Sequence, residues 1–202
     1  MNQSVAEGIL AQESLVEKAR LGERKAYDAL VLRYQRQVIL MAHSILRNWE
    51  LAKDASQNAF AKAYFRLDQL KDNRIFKTWL FRIVINEAKD VLRKEKVRGL
   101  FRFWRDRETE DGESESILEL VPSPNPTAEE VLEKEEMTKI LERAIHALPE
   151  REREVLILRY FQSFTLEEVA QALGIAVGTV KAHLAHGTEK VKTLLKEGEC
   201  HG

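Results

Sequence analysis

Three long stretches before residue 100 repeat apolar side chains at the three- and four-residue spacing of an α-helix. They cover about residues 27–45, 51–67 and 76–92. This spacing places the apolar side chains on one face, so each stretch predicts an amphipathic helix. The 202 residues include only four prolines and nine glycines, and no run of alternating β-branched residues indicates a sheet. The predicted fold class is therefore all-α.

The ends of these helices are also indicated by the sequence. A shorter helix is predicted at about residues 14–21, and Gly22 separates it from the first long helix. Arg47 and Asn48 separate the next pair, and the polar loop Asp68–Arg74 precedes the last long helix. We therefore expect four helices in the N-terminal half.

Helical spacing resumes near Ala128, and Pro149 fits the first turn of a further helix because its missing N–H would be unpaired there. Thr165 and Glu168 have the spacing of a capping box, which predicts the start of another helix. Gly174 is expected to end that helix, and the next begins near Val177.

The segment from residue 166 to 185 has the pattern of a helix-turn-helix. Two helices that cross steeply need a small side chain at their closest approach, a turn residue that tolerates positive φ and an apolar anchor. Ala170, Gly174 and Val180 stand at these positions. The second helix of such a motif lies in the major groove of DNA, and the alternative is a plain helical hairpin. Its outward residues are Thr179, Lys181, Ala182, His183, Ala185 and His186.

Charge is strongly segregated along the chain although the formal net charge is only -1. Residues 1–105 carry a net charge of +9, residues 106–136 carry -10 and residues 137–202 carry 0. The middle segment also contains serines and three prolines, which is typical of a flexible linker. A cationic N-terminal half indicates a polyanionic partner.

The helix predicted at about residues 76–96 carries a basic face. Arg82, Asn86, Lys89 and Arg93 follow one another at spacings of four, three and four, so they share one side. We expect the opposite side to pack through Trp79, Ile83, Val84 and Val91. Aromatic residues alternate with arginines in residues 97–105, VRGLFRFWR. Cations beside flat rings suit single-stranded nucleic acid, and the alternative is an ordinary solvated face.

The helix predicted at about residues 49–67 has a different surface. Asp54, Gln57, Asn58 and Lys62 project away from its apolar stripe. This mixture suggests contact with a helix of another protein more than contact with DNA, and composition alone leaves simple solvation as the default interpretation.

Several functional classes find no support in the sequence. No P-loop, Gly-x-Gly-x-x-Gly, His-Glu-x-x-His or nucleophile with a paired base occurs, so we expect no enzymatic activity and no cofactor. The single cysteine, Cys200, excludes an internal disulfide, and His183 and His186 lack a third ligand at the usual metal spacing. We find no signal peptide and no long apolar stretch, so we expect a cytoplasmic protein without membrane insertion.

Taken together, the motifs resemble those of the extracytoplasmic-function sigma factors. The resemblance rests on two runs in the first half, AKDASQNAFAKAYFRLDQL (residues 52–70) and FKTWLFRIVINEAKDVLRKEK (residues 76–96). It rests also on ALPEREREVLILRYFQSFTLEEVAQALGIAVGTVKAHL (residues 147–184). The resemblance implies a helical sigma-two domain at residues 1–100, an acidic linker at 101–136 and a sigma-four helix-turn-helix domain at 137–202. It also implies a transcription initiation factor that binds core RNA polymerase and promoter DNA.

The resemblance assigns expected roles to individual residues. Those expected to bind core polymerase, on the clamp of its beta-prime subunit, are Asp54, Gln57 and Phe60. Those expected to bind and hold the melted minus-ten DNA are Asp68, Asn73, Arg82, Asn86, Lys89 and Arg93. Those expected to face the minus-thirty-five element are Thr179, Lys181, His183 and His186. The beta subunit of the polymerase and an anti-sigma factor are further candidate partners.

The recognition helix departs from the family pattern. Arginines usually stand where this chain has His183 and His186, and a serine or similar cap usually stands at Ala176. These differences remove permanent charge and polar contacts from the recognition helix. Two other interpretations compete with that of a sigma factor. If the chain were a free-standing helix-turn-helix regulator, the helix that contains Trp79 and the acidic linker would have no assigned function. If it were a protein-binding scaffold, it would bind no specific DNA.

Overall fold

The computed structural model describes residues 3–97 and 140–199 of the chain. Within these ranges the regular structure is helical, with no strand. The chain divides into two compact units, Met1–Arg107 and Glu108–Gly202. The predicted acidic linker, most of the arginine-aromatic run and Cys200 lie outside the described residues.

The first unit contains four α-helices: α1 (Gln3–Arg20), α2 (Arg24–Leu46), α3 (Trp49–Phe65) and α4 (Phe76–Val97). The helix α1 begins well before the predicted residue 14, so its predicted start was wrong. Gly22 has a φ of 90° between α1 and α2, and Arg47 takes the left-handed conformation between α2 and α3. The side chain of Asn48 caps α3 by accepting a hydrogen bond from the Leu51 N–H at 2.9 Å.

The core of this unit is formed where α3 packs against both α2 and α4. A stripe of alanines on α3, which we call the alanine seam, is completely buried; it consists of Ala52, Ala55, Ala59 and Ala63. Spacings of three and four residues keep these alanines on one side of the helix. Because helix axes come closer when the side chains between them are small, the seam allows both neighbours to approach α3 closely.

The buried side of α4 differs from the predicted one. Val84 is fully buried as expected, but Trp79, Ile83 and Val91 are only half-buried. Phe81 and Ile85 are buried instead. Because α4 contacts α2 as well as α3, its buried side extends to Phe81 and Ile85.

The second unit begins, in its described part, with a helix at residues 140–147, which we call α5. It continues with α6 (Glu150–Leu156), which passes into a π-helical turn at Ile157–Phe161, then α7 (Leu166–Leu173) and α8 (Val177–Glu199). Pro149 lies one position before the predicted one, as the N-cap of α6. The side chain of the buried Arg153 donates to the carbonyl oxygens of His146 and Leu148, both at 3.1 Å, and so fixes the corner between α5 and α6.

The predicted capping box and turn are confirmed. The Glu168 N–H donates to Thr165 Oγ1 at 3.1 Å, and the Thr165 N–H donates to the Glu168 carboxylate at 2.7 Å. Gly174 ends α7 in the left-handed conformation, with a φ of 66°. Val180 is fully buried and anchors α8 against the rest of the unit.

The helices α6 and α8 approach closely at Gly187, which the sequence analysis missed. A Cβ atom at that position would lie 2.9 Å from Leu156 Cδ1 and 3.3 Å from Glu152 Cβ. Lys190, one turn later, bonds the Glu152 carboxylate at 2.9 Å across the same contact. Gly187 therefore sets how closely the recognition helix packs on the unit.

Burial gives the first unit a predicted dependence of stability on pH. His43 lies near the end of α2 and stacks on Trp49, with ring centroids 3.9 Å apart. Burial, followed by the nearby positive charge of Arg47, lowers the pKa of His43 from 6.5 to about 4. Between these values the unfolded chain takes up a proton that the folded chain does not.

We therefore expect the His43 contribution to stability to be complete above pH 6.5 and to be lost progressively as the pH falls towards 4. The loss should reach at most about 3 kcal/mol. This loss of stability is measured by urea unfolding at pH 7.5 and pH 4.5, with circular dichroism as the readout. The control is His43→Gln, which cannot titrate and should lose less stability over the same interval. Equal losses in both proteins would contradict the expectation.

Candidate nucleic-acid interface

The predicted basic face of α4 lies on the surface. Arg82, Asn86 and Arg93 are exposed, and Lys89 is half-buried. Arg93 forms an ion pair with Asp90 one turn earlier, which partly offsets its charge. Trp79 is half-buried and lies seven residues, or about two turns, from Asn86. The surface thus combines cations, an amide and an aromatic ring.

The loop before α4 is more ordered than its polar sequence indicated. It contains two short 3-10 turns, Leu67–Gln69 and Asn73–Ile75. Leu67 and Leu70 are buried and hold the first half of the loop against the bundle, while Asp68 is exposed.

The second turn of the loop is closed by Asp72 and Arg74. The Asp72 carboxylate accepts hydrogen bonds from the Arg74 N–H at 3.0 Å and from the Arg74 guanidinium at 2.8 Å. These bonds lower the pKa of Asp72. Asn73, between them, is half-buried and bonds to α1 instead of projecting freely.

The α3 surface is polar and exposed at the four positions predicted from the spacing. Asp54, Gln57 and Asn58 are exposed, but Phe60 is only 9% exposed. The Phe60 carbonyl accepts a hydrogen bond from the Tyr27 hydroxyl at 2.5 Å, and burial raises the pKa of Tyr27. The Phe60 side chain is therefore packed in the bundle, and Asp54, Gln57 and Asn58 form the exposed part of this surface.

Two further residues, Lys62 and Phe65, change the predicted composition of the exposed α3 surface. Lys62 forms an ion pair with Glu87 of α4, so its charge is directed to the neighbouring helix. Phe65 is 80% exposed and was missed by the sequence analysis. It lies 11 residues after Asp54, which is close to three full turns, so the two share one side of α3. The 11-residue spacing from Asp54 could have identified Phe65 in the sequence as part of the same side of α3.

The outward residues of the recognition helix α8 lie where they were predicted. Thr179, Lys181 and His186 are exposed, and His183 is half-buried. Lys181 is the single permanent cation among these four side chains. In the described part of the chain, no group of three His, Cys, Asp or Glu residues is arranged to hold a metal ion.

None of the helices within residues 3–97 and 140–199 combines the length and the apolar character needed to span a bilayer.

Each of the two units matches a known family model. Residues 30–98 match the model of Sigma-70 region 2, and residues 138–191 match that of Sigma-70, region 4. The chain is 32% identical over 182 residues to the ECF RNA polymerase sigma-E factor of Escherichia coli K12, covering 90% of this chain and 93% of the relative. It is 28% identical over 182 residues to the ECF RNA polymerase sigma factor SigW of Bacillus subtilis, covering 90% and 95% of the two chains.

Solved structures give the same fold. The sigma factor RpoE of Bartonella quintana, in complex with the anti-sigma factor NepR, matches with a TM-score of 0.58 and 26% identity, covering 85% of this chain and 98% of that one. CnrH, in complex with the cytosolic domain of CnrY, matches in fold with a TM-score of 0.63, 24% identity and coverage of 93% and 98%.

A helical region-2 bundle and a region-4 helix-turn-helix on one chain define a transcription initiation factor of the sigma-70 class. Within that class the chain belongs to the extracytoplasmic-function (ECF) sigma factors. It directs promoter-specific transcription by RNA polymerase and is not an enzyme. The predicted family, all-helical fold class and general function are thereby confirmed.

Proposed function

We propose that the first unit joins core polymerase to the melted minus-ten DNA through two different faces of one bundle. The α3 face, with Asp54, Gln57 and Phe60, docks on the beta-prime subunit. The α4 face and the loop before it hold the separated strand. The observation that carries this proposal is that α3 and α4 share a buried contact, yet expose surfaces of different chemistry.

The basic α4 face suits a separated strand for physical reasons. Arg82, Lys89 and Arg93 can neutralise phosphates, and the Asn86 amide can bond the edge of a base that has left the stack. Trp79 offers part of its ring at the edge of this face, and aromatic rings stack on bases of any sequence. We propose that Asp68 and Asn73 belong to the loop that receives a flipped base.

The second unit is proposed to bind the minus-thirty-five element through α8. Thr179, Lys181, His183 and His186 would face the major groove, as the second helix of a helix-turn-helix does. With one permanent cation among these four residues, we expect few phosphate contacts and moderate affinity from this helix.

We place the protein in the cytoplasm, where promoter DNA and polymerase are found. The structural relative RpoE was solved in complex with an anti-sigma factor. We propose that a protein of this kind also holds the present chain inactive. We assign residues 1–100 and 137–202 to the two functional domains and residues 101–136 to their linker.

The docking assignment is tested by Asp54→Arg. Reversing an exposed charge should leave the fold intact but place a repulsive or unpaired charge in the interface, which lowers affinity for core polymerase by about tenfold or more. Glu189→Arg makes the same charge change at an exposed position of α8 and is the control. Equal affinities of the Asp54→Arg protein and the original chain, measured by fluorescence anisotropy, would remove this assignment.

The strand-holding assignment is tested by replacing Asn86 and Lys89 together with alanine. Open-complex formation should fall by at least about tenfold, because a phosphate contact and a base contact are both lost, while core binding should be unchanged. Lys94→Ala removes the same charge from an exposed position 140° further around α4 and is the control. Normal permanganate reactivity of the melted thymines in the double variant would show that this face is only solvated.

The recognition-helix assignment is tested by adding charge. Changing His183 and His186 to arginine should tighten binding to a promoter duplex and steepen its salt dependence by up to about 1.8 in the log-log slope, because each arginine adds a permanent positive charge that can pair with a phosphate. The His183→Gln and His186→Gln double variant adds no charge and is the control, which should show no such steepening. An unchanged slope in the arginine variant would place both side chains away from the DNA backbone.

A further inference from the structure

The N-terminal helix α1 contacts the loop that precedes α4. The Asn73 amide nitrogen donates to Glu17 Oε2 at 2.7 Å, and the Asn73 amide oxygen accepts from Arg20 Nη1 at 3.3 Å. Glu17 and Arg20 also form an ion pair on α1, with Arg20 Nη1 3.8 Å from Glu17 Oε2. Both polar ends of the Asn73 side chain are therefore held by one helix, and we call these three residues the Asn73 clasp.

The clasp holds a turn that is already stiff. Asp72 and Arg74, on either side of Asn73, bond each other through two guanidinium nitrogens and one backbone N–H. The hydrogen bonds that Arg74 donates to Asp72, together with the charges of Asp72 and Glu13 on α1, raise the pKa of Arg74. A stiff turn moves as one body, so holding Asn73 fixes the position of its neighbours as well.

A second contact connects α1 to the end of the same loop. The buried Tyr34 hydroxyl donates to Gln12 Oε1 of α1. The Tyr34 ring lies 5.9 Å from the ring of Phe76, the first residue of α4. The helix α1 thus contacts the loop directly at its second turn, and it is connected to the start of α4 through Tyr34 of α2.

We propose that α1 is a positioning element for minus-ten recognition, in which Glu17 and Arg20 hold Asn73 and so keep the loop in the conformation that receives the flipped base. This inference rests on the proposed strand-holding function and deepens it. Because receiving a base requires a pocket of fixed shape, a loop that is ordered before DNA arrives avoids the entropy cost of ordering it on binding. Neither Glu17 nor Arg20 needs to contact DNA in this role.

The test uses the full chain with core polymerase and a labelled fork-junction DNA taken from a promoter identified by run-off transcription of a fragment library. Each base of the minus-ten strand is replaced in turn by an abasic site. The ratio of affinities for intact and abasic DNA measures base capture at that position. In the original protein this ratio should exceed one at one or two positions, since a captured base contributes binding energy.

Glu17→Ala should lower that ratio by about threefold, which corresponds to the loss of one hydrogen bond at a partly exposed site. Arg20→Ala should lower it in the same direction. Glu17→Gln keeps an acceptor oxygen and should restore the ratio, and Lys18→Ala, at an exposed position of the same helix, should not change it. Glu17→Ala combined with Asn73→Ala should lose no more than Asn73→Ala alone, because both act through one bond.

Core affinity and helical circular dichroism separate this effect from unfolding, and both should be the same in all variants. An unchanged ratio in Glu17→Ala and Arg20→Ala would overturn the positioning role while leaving the strand-holding proposal intact. A ratio of one at every position in the original protein would overturn base capture itself, and the role of the clasp with it. A similar loss in Glu17→Gln and Glu17→Ala would show that the acceptor bond is not responsible.

Discussion

The first unit depends on the close contact of α3 with two neighbouring helices along the alanine seam. Each seam residue is completely buried, and none contributes more than a methyl group between the helices. A larger side chain at such a site would have to push α2 or α4 outward, and overpacking of this kind typically costs about 1–3 kcal/mol. The consequence for function is geometric. The α3 surface that we assign to the polymerase and the α4 surface that we assign to DNA are fixed relative to each other by packing.

The second unit uses small residues in a similar way. Gly187 allows α8 to lie directly against α6, where even a Cβ atom would meet Leu156 and Glu152 within 3.3 Å. At the other end of the motif, the capping box at Thr165 and the left-handed Gly174 fix where α7 starts and stops. The recognition helix is thus held by backbone geometry and by packing. Its exposed residues remain free to vary in chemistry, which is consistent with the histidines found at 183 and 186.

Features encoded within one helix or one turn could be predicted from the sequence. The capping box, the turn at Gly174 and the exposed positions Arg82 and Asn86 are all set by spacing within a few residues, and the structure confirms them. The wrong predictions concern contacts with other elements. Periodicity shows that a helix has an apolar side but not how many neighbours cover it, so the burial of Phe81 was missed.

The same limit applies to the candidate site. Phe60 is buried, and its backbone carbonyl accepts a hydrogen bond from Tyr27 of α2, 33 residues away in sequence. The Asn73 clasp joins residues 53 and 56 positions apart. Such pairs depend on how the helices pack, which local spacing does not encode. The Gly187 contact with α6 was missed for the same reason.

The central claim is that one small bundle presents a polymerase-binding face on α3 and a DNA-binding face on α4. Site-specific photocrosslinking tests it directly, with a benzophenone side chain placed at residue 57 or at residue 86 of the full chain in an open promoter complex. We expect the probe at residue 57 to crosslink to the beta-prime subunit and the probe at residue 86 to crosslink to the melted minus-ten strand. Crosslinking of both probes to the same partner, or of the residue 86 probe to protein alone, would contradict it.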